Sequence, residues 1–149
     1  MPLKNIPKCL SPQLLHVLAS MGHGDEIVLA DAHFPSSSIC RDGPIEVRAD
    51  GLDIPTLLDA ILQLLPLDTY VDSSVALMDP VQSDKDSHIQ IPVWSKYKEI
   101  IRNREGPSVV IEYVERFAFY RRAKTAYAIV HTGEMAKYGN IILKKGLAL

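Results

Sequence analysis

The sequence predicts an α/β protein built around one sheet. Short apolar runs with strand character alternate with amphipathic helical runs along the whole chain, and no segment repeats. The size agrees, because 149 residues of which 47% are hydrophobic fill one substantial core and are too few for two. We therefore expect residues 1–149 to form a single domain, a three-layer helix/sheet/helix sandwich with a largely parallel or mixed sheet.

The first half of the chain predicts two helices and three strands. Ser11 and Pro12 have the N-cap and N1 chemistry of a helix, and Gly22 is a natural end for it. Pro66 ends the second helix. The patterns between these residues predict strand 27–30, loop 32–38, strand 44–49, helix 55–65 and strand 75–78.

The second half predicts two more helices and three more strands. Residues 82–90 are polar, which indicates a surface loop, and Gly106-Pro107 breaks the helix that follows. The remaining patterns predict helix 94–104, strand 109–111, helix 115–124, strand 127–130 and strand 141–143.

Charge and composition exclude several classes of function. The net charge of −2 offers no basic surface for nucleic acid or for an acidic membrane. Residues 1–95 carry 5 basic and 13 acidic side chains and residues 96–149 carry 11 and 5, which we interpret as solvated faces of opposite sign. No apolar run approaches a bilayer span, and Cys9 and Cys40 match no metal or disulfide pattern. We expect a cytoplasmic protein that binds neither nucleic acid nor membrane.

The most informative stretch joins the first helix to the first strand. It places His23 between Gly22 and Gly24, and it puts Asp31 where the strand ends. The glycines leave the backbone free to turn and let another group approach closely, which presents the imidazole to a pocket. The plain alternatives are a C-cap role for His23 and capping of the following serine-rich loop by Asp31.

Two further places collect polar groups near strand ends, where ligands of α/β proteins bind. Arg116 and Tyr120 are four residues apart and share one face of a helix. Tyr138 and Asn140 precede the last strand, and an extended backbone there points both side chains to the same side. The alternatives are a surface ion pair of Arg116 with Glu112 or Glu115, a core contact for Tyr120 and a simple turn at residues 138–140.

Four stretches, in this order, resemble the L-fucose mutarotase branch of the family that also contains D-ribose pyranase: residues 21–35, 47–51, 115–124 and 138–146. The loop Asp31-Ala32-His33-Phe34-Pro35 is similar to that branch, whereas the ribose branch typically has Gly-Leu-Pro there. The resemblance covers nearly the whole chain. It implies an isomerase, an aldose anomerase that interconverts the α and β anomers of a free sugar, L-fucose, without a metal or an organic cofactor.

The resemblance also implies roles for individual residues. His23 is the catalytic proton donor, and Tyr120 and Asp68 complete the catalytic set. The substrate-binding positions are Asp31, Arg116, Tyr138 and Asn140. The chemistry suits histidine, because ring opening places one proton on the ring oxygen and removes another from the anomeric hydroxyl. A free imidazole, with a pKa of about 6.5, gives and takes protons near neutral pH.

One geometric difficulty affects this site. Four strand residues at about 3.3 Å each separate His23 from Asp31 by roughly 13 Å, which is too far for one small sugar. The resemblance implies a ring-like homo-oligomer, a decamer, with active sites between subunits. Unless the glycine turn folds back, one of the two residues serves a neighbouring copy, and we therefore expect the pocket to be shared between subunits.

Three alternative functions remain at this stage. The first is activity of the D-ribose pyranase type, and the second is a non-catalytic monosaccharide-binding module, since the same side chains bind sugar hydroxyls. The third is a metal-dependent enzyme, whose candidate ligands fit no recurrent metal-binding spacing: His23, Asp25, Asp31 and His33.

Overall fold

The computed structural model describes residues 2–149, which form six helices and six strands. The helices are α1 (Pro12–Ser20), α2 (Ser36–Cys40), α3 (Ile54–Leu62), α4 (Gln82–Asp86), α5 (Pro92–Glu105) and α6 (Arg116–Lys124). The strands are β1 (Glu26–Ala30), β2 (Ile45–Ala49), β3 (Val75–Met78), β4 (Ile111–Val114), β5 (Ala128–Thr132) and β6 (Ile141–Lys144). Within residues 2–149, no helix is long and apolar enough to cross a membrane.

All six strands lie in one mixed sheet, in the order β2-β5-β1-β6-β3-β4. The pairs β2–β5, β5–β1 and β3–β4 are parallel, whereas β6 runs antiparallel to both β1 and β3. Five strands therefore point the same way and β6 opposes them. The prediction of a largely parallel or mixed sheet is confirmed.

Successive side chains of β1 enter different cores on the two faces of the sheet. Ile27 and Leu29 pack with α1, α3 and α5, whereas Val28 and Ala30 pack with α2 and α6. All four side chains are fully buried because helices cover both faces, which explains why this strand is apolar throughout. The predicted three-layer helix/sheet/helix architecture is confirmed.

Two helices begin with the capping chemistry that their sequences contain. The Ser11 hydroxyl accepts a hydrogen bond from the Leu14 amide at 3.1 Å, and Pro12 opens α1. Asp53 does the same for α3 by accepting from the Thr56 amide at 2.8 Å. The helix α3 ends three residues before its predicted end, and α5 begins two residues earlier than predicted.

Two predictions of secondary structure are wrong. Residues 82–90 are not a loop throughout, because they contain α4, none of whose side chains is buried. A hydrogen bond of 2.8 Å from Gln82 to Asp86, one turn apart, supports this exposed helix. The fourth strand begins rather than ends at Ile111, because its pairing with β3 starts there, opposite Val75.

The shared direction of five strands gives the sheet two chemically different edges. Asp31 follows β1 and Asn140 precedes the antiparallel β6, so both lie where the parallel strands end. His23 precedes β1 and Asp68 precedes β3, so both lie at the opposite edge, where the parallel strands begin. The predicted site residues are therefore divided between the two edges of the sheet.

Candidate functional site

A cleft of about 500 Å³ opens at the edge where the parallel strands end, and this volume is within the range of small-molecule sites. Five of the seven predicted site residues line it: Asp31, Arg116, Tyr120, Tyr138 and Asn140. The other lining residues are His33, Phe34, Met78, Val81, Asp84 and Lys137. The cleft thus combines apolar side chains with convergent polar groups, which is the usual composition of a small-molecule site.

Asp31 is the most deeply placed carboxylate of the cleft, with only 4% of its surface exposed. Its side chain accepts a hydrogen bond from the His33 amide at 3.0 Å, and its own amide donates to Asn140 Oδ1 at 2.7 Å. Burial raises the pKa of this carboxyl. The capping alternative is wrong, because α2 has Pro35 at its N-cap and no side-chain cap.

Asn140 is fixed by the same contact. Its Oδ1 accepts from the Asp31 amide, so within residues 2–149 the amide nitrogen is left to donate into the cleft. Gly139 precedes this asparagine in a tight position, because a Cβ there would lie 3.1 Å from the Ala136 carbonyl oxygen. The Tyr97 hydroxyl donates to the Gly139 carbonyl at 2.7 Å and anchors the segment.

Arg116 and Tyr120 lie side by side on α6, as their spacing predicts. The Arg116 Nε donates to the Tyr120 hydroxyl at 3.2 Å, and the guanidinium lies 5.4 Å and 5.5 Å from the ring centres of Phe117 and Tyr120. This contact raises the pKa of Arg116. The ion-pair alternative is wrong for Glu112, which pairs with Arg122 instead.

Tyr138 reaches the cleft from a turn. Its φ of 57° is left-handed, so the backbone here is not extended and the alternative of a turn fits. Its hydroxyl accepts from the Val81 amide at 3.1 Å and donates to Asp84 Oδ2, while Trp94 Nε1 donates to its carbonyl at 2.9 Å. Burial, followed by the bond to Asp84, raises the pKa of the phenol.

His23 and Asp68 form a pair at the opposite edge of the sheet. The Nε2 of His23 lies 2.9 Å from Oδ1 of Asp68, and the two side chains are 40% and 3% exposed. The Asp68 carboxylate also accepts from the Tyr70 amide at 3.0 Å, and these two bonds lower its pKa. Gly24 turns the chain here with a φ of 89°, a conformation that favours glycine.

The His23–Asp68 pair and the cleft residues are too far apart to touch one sugar within a single copy. The five residues of β1, at about 3.3 Å each, separate the edges by roughly 16 Å. The same distance divides the candidate metal ligands, since His23 and Asp31 lie at opposite edges. Within residues 2–149, no group of three or more His, Cys, Asp or Glu side chains is placed to hold a metal ion.

Sequence reasoning missed two charged residues of the cleft, Asp84 and Lys137. The Lys137 Nζ lies 3.7 Å from Asp84 Oδ2, which also accepts from Tyr138. Asp84 belongs to a polar segment that resembles any surface loop, so its sequence carried no signal. Lys137 was detectable only as the neighbour of Tyr138.

The chain is similar to known proteins in both sequence and structure. The model of the RbsD / FucU transport protein family matches residues 4–148. The chain is 62% identical to the fucose mutarotase of Mus musculus, covering 97% of this chain and 94% of that protein. It is similar to the crystal structure of the fucose mutarotase in complex with L-fucose from Streptococcus pneumoniae, with 50% identity, a TM-score of 0.91 and coverage of 99% and 100%. Bacillus subtilis RbsD complexed with D-ribose is less similar, with 25% identity, a TM-score of 0.68 and coverage of 94% and 95%.

Proposed function

Because the chain belongs to the RbsD / FucU transport protein family, we propose that it interconverts the α and β anomers of L-fucose by opening and reclosing the sugar ring. The cleft is the observation that supports this most strongly, since polar side chains from four separate parts of the chain converge there. We assign residues 1–149 to one fucose-mutarotase-like domain, and the single six-stranded sheet supports this assignment.

The cleft offers the donors and acceptors that a free sugar requires. The Arg116 guanidinium and the Asn140 amide nitrogen donate, whereas the carboxyl oxygens of Asp31 accept. A sugar hydroxyl both donates and accepts, so alternating partners of this kind hold several hydroxyls at once. Phe34 and Met78 provide the apolar floor against which the carbon skeleton lies.

In the proposed reaction, His23 is the proton donor, held by Asp68, and Tyr120 is its partner. The lowered pKa of Asp68 keeps its carboxylate ionised, so it only accepts, and Nε2 of His23 is the donor of their bond. Nδ1 is then the nitrogen that carries the proton given to the ring oxygen on opening and takes it back on closure. The Tyr120 hydroxyl accepts the proton of the anomeric hydroxyl while it passes its own proton to solvent water, and ring closure reverses both transfers.

We propose that each active site combines the cleft of one copy with the His23–Asp68 pair of another, in a ring-like homo-oligomer, a decamer. The separation of the two edges by roughly 16 Å supports this, because no sugar spans it. Tyr70 also supports it: this tyrosine is 71% exposed and its ring lies 5.5 Å from the His23 ring. An aromatic side chain exposed beside a proton donor is well placed to cover a neighbouring cleft.

The state of the two cysteines supports an inference about the cellular compartment. Cys9 and Cys40 are both free thiols. We infer a reducing compartment, the cytoplasm, because disulfides are rare there. The free monosaccharide is the partner that we propose, in addition to other copies of this chain.

Saturation-transfer NMR on equilibrated L-fucose tests the function. We expect the wild-type protein to transfer saturation between the α and β anomeric proton signals, whereas a binding module only broadens them. His23→Ala should keep the fold and lose exchange about 10²–10⁴-fold, the range of a positioned acid or base. His16→Ala, an exposed histidine of α1, is the matched control and should exchange like the wild type.

Two outcomes would contradict the proposal. Unchanged exchange in His23→Ala would move the proton donor to another residue. Faster exchange with D-ribose than with L-fucose would favour the D-ribose pyranase alternative, against which the weaker similarity to the ribose-bound relative argues.

A further inference from the structure

The hydroxyl of Tyr138 is already held by two groups of the protein. It accepts from the Val81 amide at 3.1 Å, and it donates its only hydrogen to Asp84 Oδ2. A phenol offers one donor and two acceptor positions. One acceptor position is therefore all that Tyr138 has left for a ligand.

The carboxylate of Asp84 lies on a part of the fold that few contacts hold in place. Its helix α4 buries no side chain, and it is fastened by the Tyr138 contacts and by an ion pair of 2.6 Å from Lys85 to Asp79. The side chain of Asp84 is nevertheless only 23% exposed, because it faces the cleft and not the solvent. Lys137, which lies 3.7 Å away, is 69% exposed and extends into the solvent.

We propose that Asp84 is a positioning and specificity residue: by holding the hydrogen of Tyr138, it makes this tyrosine an acceptor that requires a donating hydroxyl on the sugar. The proposal rests on the proposed function, because it concerns recognition of the same sugar in the same cleft. Tyr138 touches the substrate, and Asp84 acts through Tyr138.

The neighbouring Arg116 makes this requirement selective. Its guanidinium donates and never accepts, and its charge acts on the Tyr138 phenol from within the same cleft. A sugar hydroxyl that contacts both residues accepts from Arg116 and donates to Tyr138. A fluorine at that position still accepts from Arg116 but leaves Tyr138 unpaired, and unpaired polar groups are what a site uses to reject a close analogue.

A competing explanation is that Asp84 merely fastens α4 to the protein. Two residues of the same helix separate the explanations. Lys85→Ala removes the ion pair to Asp79 and loosens α4 without touching Tyr138. Asp86→Ala removes an exposed carboxylate two positions away, whose bond is to Gln82.

The experiment measures L-fucose affinity by titration and anomer exchange by NMR for these variants. Asp84→Ala should raise KM and Kd about threefold to tenfold and change kcat less than twofold, the size of one lost hydrogen bond. Asp84→Asn should retain most of the affinity, because its amide oxygen still accepts from Tyr138. Lys85→Ala and Asp86→Ala should match the wild type.

Analogues of L-fucose in which each non-anomeric hydroxyl in turn is replaced by fluorine give the decisive measurement. In the wild type, we expect one position to lose about threefold to tenfold in affinity beyond the others. Asp84→Ala and Tyr138→Phe should both remove that difference, whereas Asp84→Asn should keep it. A role in fastening α4 predicts that both Asp84 variants keep the difference and that only Tyr138→Phe removes it.

The results separate failure of this inference from failure of the proposed function. If the wild type neither binds L-fucose nor exchanges its anomers, both are wrong. If the wild type does both while Asp84→Ala behaves like Asp86→Ala, or while Lys85→Ala reproduces Asp84→Ala, only the role of Asp84 is overturned.

Discussion

Replacing Gly146 by alanine tests how the His23–Asp68 pair is held together. Gly146 is buried after β6, and its amide donates to the Pro66 carbonyl at 2.8 Å. The Lys145 carbonyl accepts from the Gly24 amide at 2.9 Å, and Lys145 forms a bridge with Leu67 on its other side. Residues 144–146 therefore fasten the His23 turn and the Asp68 segment to each other.

A Cβ at Gly146 has no room in this arrangement. It would lie 2.5 Å from the Leu67 carbonyl oxygen and 2.7 Å from the Asp68 Cα, and both are backbone atoms that rotamer changes cannot move. Overpacking of this kind costs about 1–3 kcal/mol. For a chain of about this length, each kcal/mol lowers Tm by roughly 2–4 °C, so we expect a loss of about 2–12 °C.

Thermal melting and anomer exchange are the assays, with Gly51→Ala as the control. Gly51 is exposed, and a Cβ there would meet no atom within 4 Å, so this variant should keep its melting temperature. We expect Gly146→Ala to lose exchange as well, because relieving the clash moves Asp68 away from His23. If both variants melted and exchanged alike, the clash and the link between residues 144–146 and the pair would be refuted.

Two further predictions concern the cleft and its assembly. Burial raises the pKa of Asp31, so the folded state holds the carboxyl proton more tightly than the unfolded state does. The folded state therefore loses stability as pH rises past about 3.9, the pKa of this carboxyl in the unfolded chain, because Asp31 then ionises. Asp31→Asn should therefore resist urea better than the wild type at pH 7, with a gap that narrows towards pH 4, and should lose exchange; a less stable variant at pH 7 would contradict the sign. The second prediction concerns His23→Ala and Tyr120→Phe, each of which should be nearly inactive alone. The two variants should recover activity when they are unfolded and refolded together, because about a quarter of the sites formed by random mixing combine an intact cleft with an intact histidine. Absence of recovery in verified mixed oligomers would place both residues in one subunit's site.

Much of the fold was predictable because its signals are local. The cap at Ser11, the apolar run of β1 and the glycine after α1 each depend on neighbours in the sequence. The order of the strands in the sheet was not predictable, because it carries no local signal. The strand β6 lies between β1 and β3 because Ile141 pairs with both Leu29 and Leu77, and no local pattern records such distant contacts.

The candidate site was likewise predictable where its signals are local and not where they depend on distant contacts. The spacing of Arg116 and Tyr120 was sufficient to place them together, since a helix fixes which residues share a face. The sequence could not predict the position of Tyr138, because its left-handed backbone is set by tertiary hydrogen bonds to Val81 and Trp94. Asp84 acquires its place only through that same tyrosine, so a polar run of sequence could not reveal it.

The topology of the sheet explains why one copy of this chain holds two incomplete halves of the proposed active site. Parallel strands collect ligand-binding residues where they end, and here Asp31 follows β1 directly and Arg116 lies two residues after the end of β4. The glycine turn that presents His23 precedes β1, so the length of that strand separates the donor from the cleft. No rotation of the side chain removes a distance of roughly 16 Å, and only a second copy supplies the missing group at close range. Under this proposal, assembly is a condition of catalysis, and dilution to monomers should abolish exchange while L-fucose still binds weakly in the cleft.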